Sequence, residues 1–410
     1  MRISTLSIYS NATSQLNTLQ SALARTQMQL STNRRIITPA DDPVASARAL
    51  EVSQSKEMNS QYATNRSSAR SSLSTVEGAL QNAGDLLQDI QQLAVNAGNG
   101  TMVQGDRIKL ATELEGRLQD LLGVANSTDG AGGYLFSGYM ATTQPFNQNG
   151  TGASYQGDQG QRMLQVGASR KMPLSASGSA VFENNLTGNG TFQTQADKTN
   201  TGAAIISSGS VIDRSLAEQG KSYKLSFAVT GTPAVTTYSV VDTSVAGVET
   251  PVAGQTGIPY EAGKAISFGG ISFDIKGEPA DGDDFTMEPS EKQSVFTTVT
   301  NLINALKAPA DGSSGKAALS NSLNTALDNL KQAHDNVLTV QASVGAHMKE
   351  LDYLDSAGDD LDIQYAATLG DLQDLDVVKA ISDFSQQQTT LQAAQMSFKT
   401  MSGLSLFNYL

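Results

Sequence analysis

Residues 319–372 decide the fold; they read LSNSLNTALDNLKQAHDNVLTVQASVGAHMKELDYLDSAGDDLDIQYAATLGDL. Steps of four and three residues alternate through this stretch without a break, which puts one stripe on one side of a helix, as in the a/d seam of a coiled coil. The stripe is mostly apolar and contains Leu319, Leu323, Ala326, Leu330, Ala333, Val337, Val340, Val344, His347, Leu351, Leu354, Gly358, Leu361, Tyr365, Thr368 and Leu372. About 54 residues make a rod about 80 Å long, which we expect to pack against other long helices.

The composition excludes several classes of protein. The chain has 410 residues, which suffices for two or three domains. Its net charge of −13 argues against nucleic acid as a partner, because phosphate binding requires a basic face. Without cysteine, it has no disulfide, thiolate nucleophile or thiolate metal site. Its apolar runs are shorter than the roughly 18 residues of a membrane span, so we predict no membrane insertion.

The first 40 residues contain four arginines and no acidic residue, a composition shared with transit peptides. The helical pattern runs on into the body of the protein, which favours a structural helix over residues 1–37. A cleaved secretory signal is disfavoured because a continuous apolar stretch is missing. The helical stripe contains Tyr9, Ala12, Leu16, Leu19, Leu23, Thr26 and Leu30.

Two prolines and two aspartates follow in the segment Thr38-Pro39-Ala40-Asp41-Asp42-Pro43. We expect one helix to end here and the next to begin, with Asp41 or Asp42 as its cap and Pro43 in its first turn. The second helix is predicted to reach about Asn96, and a third to cover about 105–126. Their stripes contain Ala69, Leu73, Val76, Leu80, Ala83, Leu87, Ile90 and Ala94, then Leu110, Leu114, Leu118, Leu121 and Ala125.

The middle of the chain changes to β patterns. Residues 129–175 are rich in Gly, Gln, Ser and Thr, and we expect hairpins packed on the helices. Alternating apolar residues in 223–229, and again around Gly269-Gly270, predict strands and a hairpin with a two-residue glycine turn. Residues 178–290 therefore form a predicted β domain inserted between helical halves.

The C-terminal segment carries a weaker stripe, and two of its positions are glutamines. Its members are Val377, Ile381, Phe384, Gln388, Leu391, Gln395 and Phe398. Because a buried amide without partners costs about 1–3 kcal/mol, we expect both terminal arms to order only when packed among copies or partners. The N-terminal arginines and the acidic residues of 350–376 would attract each other, although solvated charged faces are an equal alternative.

The residues that could carry chemistry have simpler interpretations. His334 and His347 lie in or beside the helical stripe, where packing explains them. Asp281-Gly282-Asp283-Asp284 lacks the spacing and closing glutamate of an EF-hand, so we predict a turn before a strand. We therefore predict a protein that is not an enzyme and holds no cofactor or metal. An extracellular hydrolase on the β domain is the remote alternative, although residues 178–290 contain no histidine.

Four motifs, in order, resemble the bacterial flagellin and hook-associated protein family. Thr38–Ala45 is similar to the segment after the family's first helix, and Leu93–Thr101 with Asp106-Arg107 to its next turn. Asp371–Asp376 and Gln388–Phe398 resemble its C-terminal arm, although Asp371 stands where flagellins commonly have Ser or Thr. Together they cover roughly residues 1–140 and 290–410.

Within the family, some segments are more similar to the junction proteins than to flagellin. These are Tyr134-Leu135-Phe136-Ser137-Gly138-Tyr139 with Gln144-Pro145-Phe146, and the ending Leu404–Leu410. Gly277–Phe285 looks like a segment in the outer domains of hook-associated proteins. The resemblance implies a structural adaptor of the flagellum, a ring of copies between hook-associated protein 1 and flagellin. Flagellin itself, the filament subunit, is the alternative.

The resemblance also implies where the protein works. It would be exported unfolded by a type III route, without a cleaved signal, and act outside the cell. A cytoplasmic chaperone would cover the C-terminal arm before export.

The predicted fold is mainly α with an inserted all-β domain: both chain ends form long antiparallel coiled-coil helices, with β-hairpins and a small β domain between them. The predicted domains are terminal arms (1–40 plus 373–410), a long-helix bundle with hairpins (41–177 plus 291–372) and an outer β domain (178–290). The predicted helix-break motif is Pro39, Asp41, Asp42 and Pro43. The predicted assembly residues are Leu6, Ile8, Leu16, Leu19, Leu23, Leu30, Ile381, Phe384, Leu391, Phe398, Leu404, Leu406, Phe407, Tyr409 and Leu410.

Overall fold

The computed structural model describes residues 5–217 and 219–403, and it is mainly helical at both ends with β structure between. The helices are α1 (Thr5–Thr32), α2 (Pro43–Ala97), α3 (Gln104–Ala125), α4 (Arg214–Ala217), α5 (Val295–Lys307), α6 (Gly312–Gln373) and α7 (Val377–Gly403). A short π-helical turn covers Ser179–Glu183. The predicted fold class is confirmed, because the terminal helices pack together and the sheets lie in the middle of the chain.

The strands form hairpins and two larger sheets, and the pairs among the described residues are antiparallel. The strands before residue 200 are β1 (Phe146–Asn149), β2 (Gly152–Tyr155), β3 (Met163–Gly167), β4 (Arg170–Pro173), β5 (Asn185–Leu186) and β6 (Phe192–Ala196). Those between 205 and 251 are β7 (Ile205–Ile206), β8 (Ser210–Val211), β9 (Tyr223–Thr230), β10 (Val235–Val245) and β11 (Val248–Pro251). The last are β12 (Ile258–Pro259), β13 (Ala265–Phe268), β14 (Ile271–Lys276), β15 (Asp284–Pro289) and β16 (Lys292–Gln293).

The described chain divides into two compact units. The arm unit comprises the described parts of Met1–Asn65 and Asp352–Leu410, and the body unit comprises those of Arg66–Leu351. These units do not coincide with the three predicted segments, whose boundaries remain a prediction. Among the described residues, none of the helices combines the length and the apolarity needed to cross a membrane.

The long helix α6 forms as one element, and the predicted stripe is its shielded side. Every stripe position from 319 to 372 is buried or half-buried except Leu361, which is 41% exposed. The stripe of α2 from Ala69 to Ala94 is buried throughout, and in α3 only Leu110 is half-exposed. The three-four alternation therefore predicted the packed faces of the inner helices, because each apolar side chain there loses contact with water.

The β domain is held by two sheets around one apolar core. The larger sheet has the order β11–β10–β9–β15–β6, with β12 beside β10, and the smaller has the order β13–β14–β7, with β8 beside β14. Gly269 and Gly270, both with positive φ, form the predicted two-residue turn, since Phe268 pairs directly with Ile271. The shared core includes Phe192, Leu225, Val240, Phe273, Ile275 and Phe285.

Asparagines of α6 hold the β domain within the body unit. Asn321 receives a hydrogen bond from the Ile206 N–H (2.9 Å) and donates one to the Ala204 carbonyl (3.0 Å). Asn329 accepts from the Gly188 N–H at 2.7 Å, and Asn336 donates to the Ala180 carbonyl at 2.9 Å. These amides satisfy main-chain groups that would otherwise be buried without partners.

Candidate assembly site in the terminal arms

The helix-break motif Thr38–Pro43 is a turn closed by two adjacent carboxylates. The Asp41 carboxylate accepts from the main-chain N–H groups of Thr38 (2.8 Å) and Ile37 (2.9 Å), and Arg25 lies 2.6 Å from its other oxygen. These hydrogen bonds, followed by the Arg25 charge, hold the pKa of Asp41 below its ordinary value.

Asp42 and Pro43 begin the second helix. The Asp42 carboxylate accepts from the Ala45 N–H at 3.0 Å, and Pro43 is the first residue of α2. Asp42 is therefore the cap of α2, whereas Asp41 fastens the preceding turn. The prediction that one of the two aspartates caps this helix is resolved in favour of Asp42.

Helix α1 ends in a left-handed residue. Asn33 has φ 54°, and among the described residues no other non-glycine has a positive φ. The Arg34 N–H then returns to the Gln29 carbonyl at 3.2 Å, which is the six-to-one bond of a Schellman motif. The helix thus stops five residues short of the predicted end at 37, well before the two prolines.

The segment that follows α1 pairs with the segment that follows α6. The Arg35 N–H donates to the Gln373 carbonyl (2.8 Å), and its guanidinium donates to the Leu372 carbonyl (2.7 Å). The main chains of Arg34 and Asp374 form an isolated antiparallel β-bridge. The Leu375 N–H points to the Asn33 carbonyl at 3.4 Å. We call residues 33–35 with 372–375 the clasp.

The arms α1 and α7 pack against each other, as expected for a protein whose chain ends pair. Two contacts fix an antiparallel register. The Thr26 hydroxyl donates to the Gln387 side-chain carbonyl at 2.9 Å, and the rings of Tyr9 and Phe398 meet edge to face with centroids 5.6 Å apart. The predicted α1 stripe is shielded from Ala12 to Leu30, with Thr26 buried.

The predicted stripe of α7 is wrong at four of its seven positions, the first of which is Val377, 42% exposed. Ile381 is 56% exposed, and Gln388 and Gln395 are exposed as well, so neither glutamine is a buried amide. The shielded stripe instead consists of Ala380, Phe384, Gln387, Leu391, Ala394 and Phe398. The helix is interrupted at residues 374–376 and restarts with the Asp376 carboxylate accepting from the Lys379 N–H (3.0 Å). Two of the shielded positions that follow, Ala380 and Ala394, are small.

This rotation leaves a second stripe of α7 uncovered. Val378 is 82% exposed and Met396 is 69% exposed, and Ile381 lies between them on the same side of the helix. The predicted residues Leu16, Leu19, Leu23, Leu30, Phe384, Leu391 and Phe398 are half-buried, whereas Ile8 and Ile381 are exposed. The Leu6 side chain and Leu404, Leu406, Phe407, Tyr409 and Leu410 lie outside the described residues.

The N-terminal arginines meet different partners from those expected. Arg25 of α1 pairs with Asp41 in the linker before α2, and Arg35 caps the end of α6 through the Leu372 carbonyl. A cation at that end is also favoured by the helix dipole. Within the acidic segment 350–376, Asp362 pairs with a lysine of α2, since its carboxylate lies 3.8 Å from the Lys56 ammonium group. Arg25 thus meets a carboxylate outside 350–376, and Arg35 meets a helix end.

The residues that were considered as metal-binding or catalytic candidates make hydrogen bonds and ion pairs within the fold. The Asp283 carboxylate is buried and accepts from the N–H groups of Thr201 and Ala280, both at 2.8 Å, while Asp284 pairs with Lys224 at 2.9 Å. The segment is the predicted turn, and β15 begins at Asp284. His334 lies 3.1 Å from the Gln88 side chain.

The motif Tyr134–Tyr139 closes an aromatic cluster in the body unit. The Phe136 ring meets Phe182 at 5.4 Å, and Phe182 meets Phe146 at 5.5 Å. The Tyr155 hydroxyl lies 2.9 Å from the Phe136 carbonyl, and burial raises the pKa of that tyrosine. Gly138 has φ +73° and would collide with Asp158 if it carried a Cβ. Packing and turn geometry account for the motif.

Comparison with known proteins agrees with this architecture. Residues 3–141 match the bacterial flagellin N-terminal helical region. Flagellar hook-associated protein 3 of Salmonella typhimurium is 30% identical over 407 residues, which is 99% of each chain. Phase 1 flagellin of Salmonella naestved is 32% identical over 113 residues only, 28% of this chain and 22% of the flagellin. Similarity to flagellin is thus partial, whereas similarity to the junction protein is complete in length.

Solved structures give the same result. Flagellar hook-associated protein 3 from Legionella pneumophila superimposes with a TM-score of 0.73 and 33% identity, covering 78% of this chain and 98% of that one. FlgL from Xanthomonas campestris gives a TM-score of 0.68 at 28% identity, covering 78% and 99%. These relatives are structural components of the flagellum, as the resemblance implied. The chain belongs to the flagellar hook-associated protein 3 family.

Proposed function

We propose that this protein is the structural adaptor that joins hook-associated protein 1 to the flagellin filament. The observation that carries the proposal is similarity over 99% of the chain to a hook-associated protein 3, together with paired terminal helices. The flagellin alternative is disfavoured by the short flagellin match. The arms are the parts through which copies associate into a ring, and the β domain is not needed for that contact.

Exposure of apolar side chains on α7 supports this role for the arms. Val378, Ile381 and Met396 are more than half exposed, although each is large and apolar. A monomer gains nothing from exposing such a stripe, whereas a helix of an adjoining copy would bury it. The predicted assembly residues Leu404, Leu406, Phe407, Tyr409 and Leu410 belong to the same proposed contact between copies. That the arms order fully only among copies remains a prediction.

The route to this position is part of the same proposal. The protein leaves the cell unfolded through the flagellar channel, without a cleaved signal, and works outside the cell. A chaperone covers the C-terminal arm until export. Absence of cysteine suits a passage from a reducing compartment to an oxidising one.

A deletion strain tests the function. Without the protein, hooks should remain and flagellin should be shed as monomer, and expression of the intact chain should restore attached filaments. Loss of flagellin instead would leave hooks with their associated proteins in place. If the deletion strain keeps attached filaments of normal length, the junction role is wrong.

The hydrolase alternative has less support from the site. The carboxylates Asp281, Asp283 and Asp284 each hold main-chain or lysine partners within the β domain. Hydrolysis of a substrate that is lost when one of these three aspartates is replaced would support the hydrolase alternative.

A further inference from the structure

We propose that Asn99 and Asn149 are sites of spontaneous deamidation, and that the fold protects Asn189, which stands in the same tripeptide. Asn-Gly-Thr occurs three times in the body unit, at 99–101, 149–151 and 189–191. Because the three local sequences are identical, a difference between their reactivities has to come from the structure. The inference does not depend on the junction function, since it concerns the chemistry of a single chain.

Deamidation begins with an attack by the main chain on a side chain, and asparagine is a chemically labile residue for this reason. The main-chain nitrogen of the next residue bonds to the asparagine Cγ, the Cγ–Nδ2 bond breaks, and the amide nitrogen leaves as ammonia with the proton of the attacking N–H. Water then opens the cyclic imide at one of its two carbonyls, which gives aspartate or isoaspartate. Glycine is the most permissive next residue, because it has no Cβ to obstruct its nitrogen.

Asn99 and Asn149 meet these requirements. Asn99 lies in the turn between α2 and α3, and Asn149 is the last residue of β1, before the two-residue turn into β2. Both asparagines and the glycines that follow them are exposed. A Cβ added at Gly100 or Gly150 would meet no described heavy atom within 4 Å, so the main chain has room to close the imide.

The threonine of each exposed tripeptide activates the asparagine carbonyl. The Asn149 Oδ1 atom accepts from the Thr151 N–H and from the Thr151 hydroxyl, both at 3.0 Å. The Asn99 Oδ1 atom accepts from the Thr101 N–H at 3.2 Å and from its hydroxyl at 2.9 Å. Two donors on one carbonyl oxygen stabilise the negative charge that develops there as the nitrogen adds to Cγ.

Asn189 is held differently, although its tripeptide is the same. The residue is half-buried, its Oδ1 atom accepts from two main-chain N–H groups at 3.0 Å, and its Nδ2 atom donates to the Gly209 carbonyl at 3.4 Å. The Gly190 N–H, which would supply the nucleophile, donates to the Thr187 carbonyl at 3.2 Å. Closing the imide therefore requires a local opening that breaks hydrogen bonds worth about 1 kcal/mol each.

Conversion changes both the charge and the main chain. Two conversions take the net charge from −13 to −15, one unit for each site. Isoaspartate at Asn149 also inserts a methylene group into the main chain beside the pair of Asn149 and Gly152. Gly152 packs so closely on the main chain of Phe296 that a Cβ would collide with it, so the longer turn disturbs a tight contact.

The test follows all three sites in one sample. The folded full-length protein is incubated at neutral pH in water enriched in heavy oxygen, then digested and mapped by mass spectrometry. The heavy oxygen enters the new carboxylate, which separates conversion during the incubation from conversion during digestion. A parallel sample unfolded in urea gives the reactivity of each tripeptide without the fold.

We expect Asn99 and Asn149 to convert roughly tenfold or more faster than Asn189 in the folded protein, since only Asn189 must first break hydrogen bonds at its nucleophile and its leaving group. In urea the three rates should become similar, because the local sequence is then the main determinant.

Two alanine variants test the nucleophile. Gly150→Ala should slow the conversion of Asn149 roughly tenfold, because a Cβ then obstructs the attacking nitrogen. It should leave Asn99 unchanged, and Gly100→Ala should do the reverse, so each variant is the control for the other. Neither glycine has a positive φ, so alanine fits both positions without strain, and far-ultraviolet circular dichroism should be unchanged.

Two results would overturn the proposal. Equal rates at Asn149 and Asn189 in the folded protein would show that the fold does not distinguish the tripeptides. A rate at Asn149 that Gly150→Ala leaves unchanged would show that the glycine nitrogen is not the attacking group.

Discussion

At the scale of single residues, the carboxylates of the helix-break motif do separate tasks although they are neighbours. Asp42 caps α2, and Asp41 fastens the turn before it with Arg25 beside it. The sequence predicted a helix cap at this point but did not distinguish Asp41 from Asp42, since both aspartates precede Pro43. The choice depends on the path of residues 37–41, which the tertiary structure fixes.

Loss of the cap has a defined cost. Asp42→Ala should destabilise the arm unit by about 1 kcal/mol, because the Ala45 N–H loses its partner. Asp42→Asn should keep most of the stability, since its side-chain oxygen still accepts. Hydrogen exchange of the first turn of α2 measures the effect, and equal protection in the Ala and Asn variants would contradict this role.

The turn at Asp41 should respond to acid. Its pKa is lowered in the folded state, so its contribution is fully present above the ordinary value near 3.8 and is lost as pH falls through the lower folded value. We expect the exchange of the Thr38 and Ile37 amides to speed up more below about pH 4 than that of α1. In Asp41→Asn this additional acid response should disappear; if it persists, another group is responsible.

The contribution of Asp328 of α6 to stability should depend on pH in the opposite direction. Burial raises its pKa, only partly offset by Ser208 and Lys331, so the charged form is disfavoured in the folded protein. The contribution of Asp328 to the free energy of unfolding is therefore largest at low pH, and it declines as pH rises through the folded pKa. Asp328→Asn should therefore raise the midpoint of thermal unfolding at pH 7 and change it little at pH 3. A lower midpoint at pH 7 would refute this.

At the scale of elements, the exposed stripe of α7 separates folding from assembly. Ile381→Asp should leave thermal unfolding nearly unchanged, because the side chain is already 56% exposed, yet it should reduce filament attachment strongly. Gln386→Asp is the matched control, exposed and about 140° around the helix from Ile381. Equal attachment in both variants would place the contact between copies elsewhere.

The elements also show why part of the arms could not be predicted. The alternation located α1, α2, α3 and α6 and their buried sides, because it extends over many turns. In α7 the polar and small residues are distributed so evenly that several stripes fit equally well. The correct one begins after the break at 374–376, where α7 restarts with Asp376 accepting from the Lys379 N–H.

At the scale of the whole molecule, the β domain is an insertion whose entry and exit adjoin. Strand β5 pairs with β16, with Leu186 opposite Lys292 and Asn185 opposite Gln293. Joining Leu186 to Lys292 through Asn-Gly, a favourable two-residue turn, should therefore give a chain that still folds its helices and restores filament attachment. Helicity by far-ultraviolet circular dichroism checks folding. A folded chain that fails to attach filaments would mean that the β domain takes part in the junction.

The sequence by itself determined the long helices, the inserted β domain and the family. Apolar periodicity and turn motifs depend on which residue types occupy each position, so both can be recognised in the sequence. Only the tertiary structure decided the clasp, the rotation of α7 and the asparagine contacts of α6. These rest on main-chain groups and on amides that meet segments more than 100 residues away. Main-chain donors and acceptors are nearly the same at every residue, so their pairing leaves no trace in the sequence.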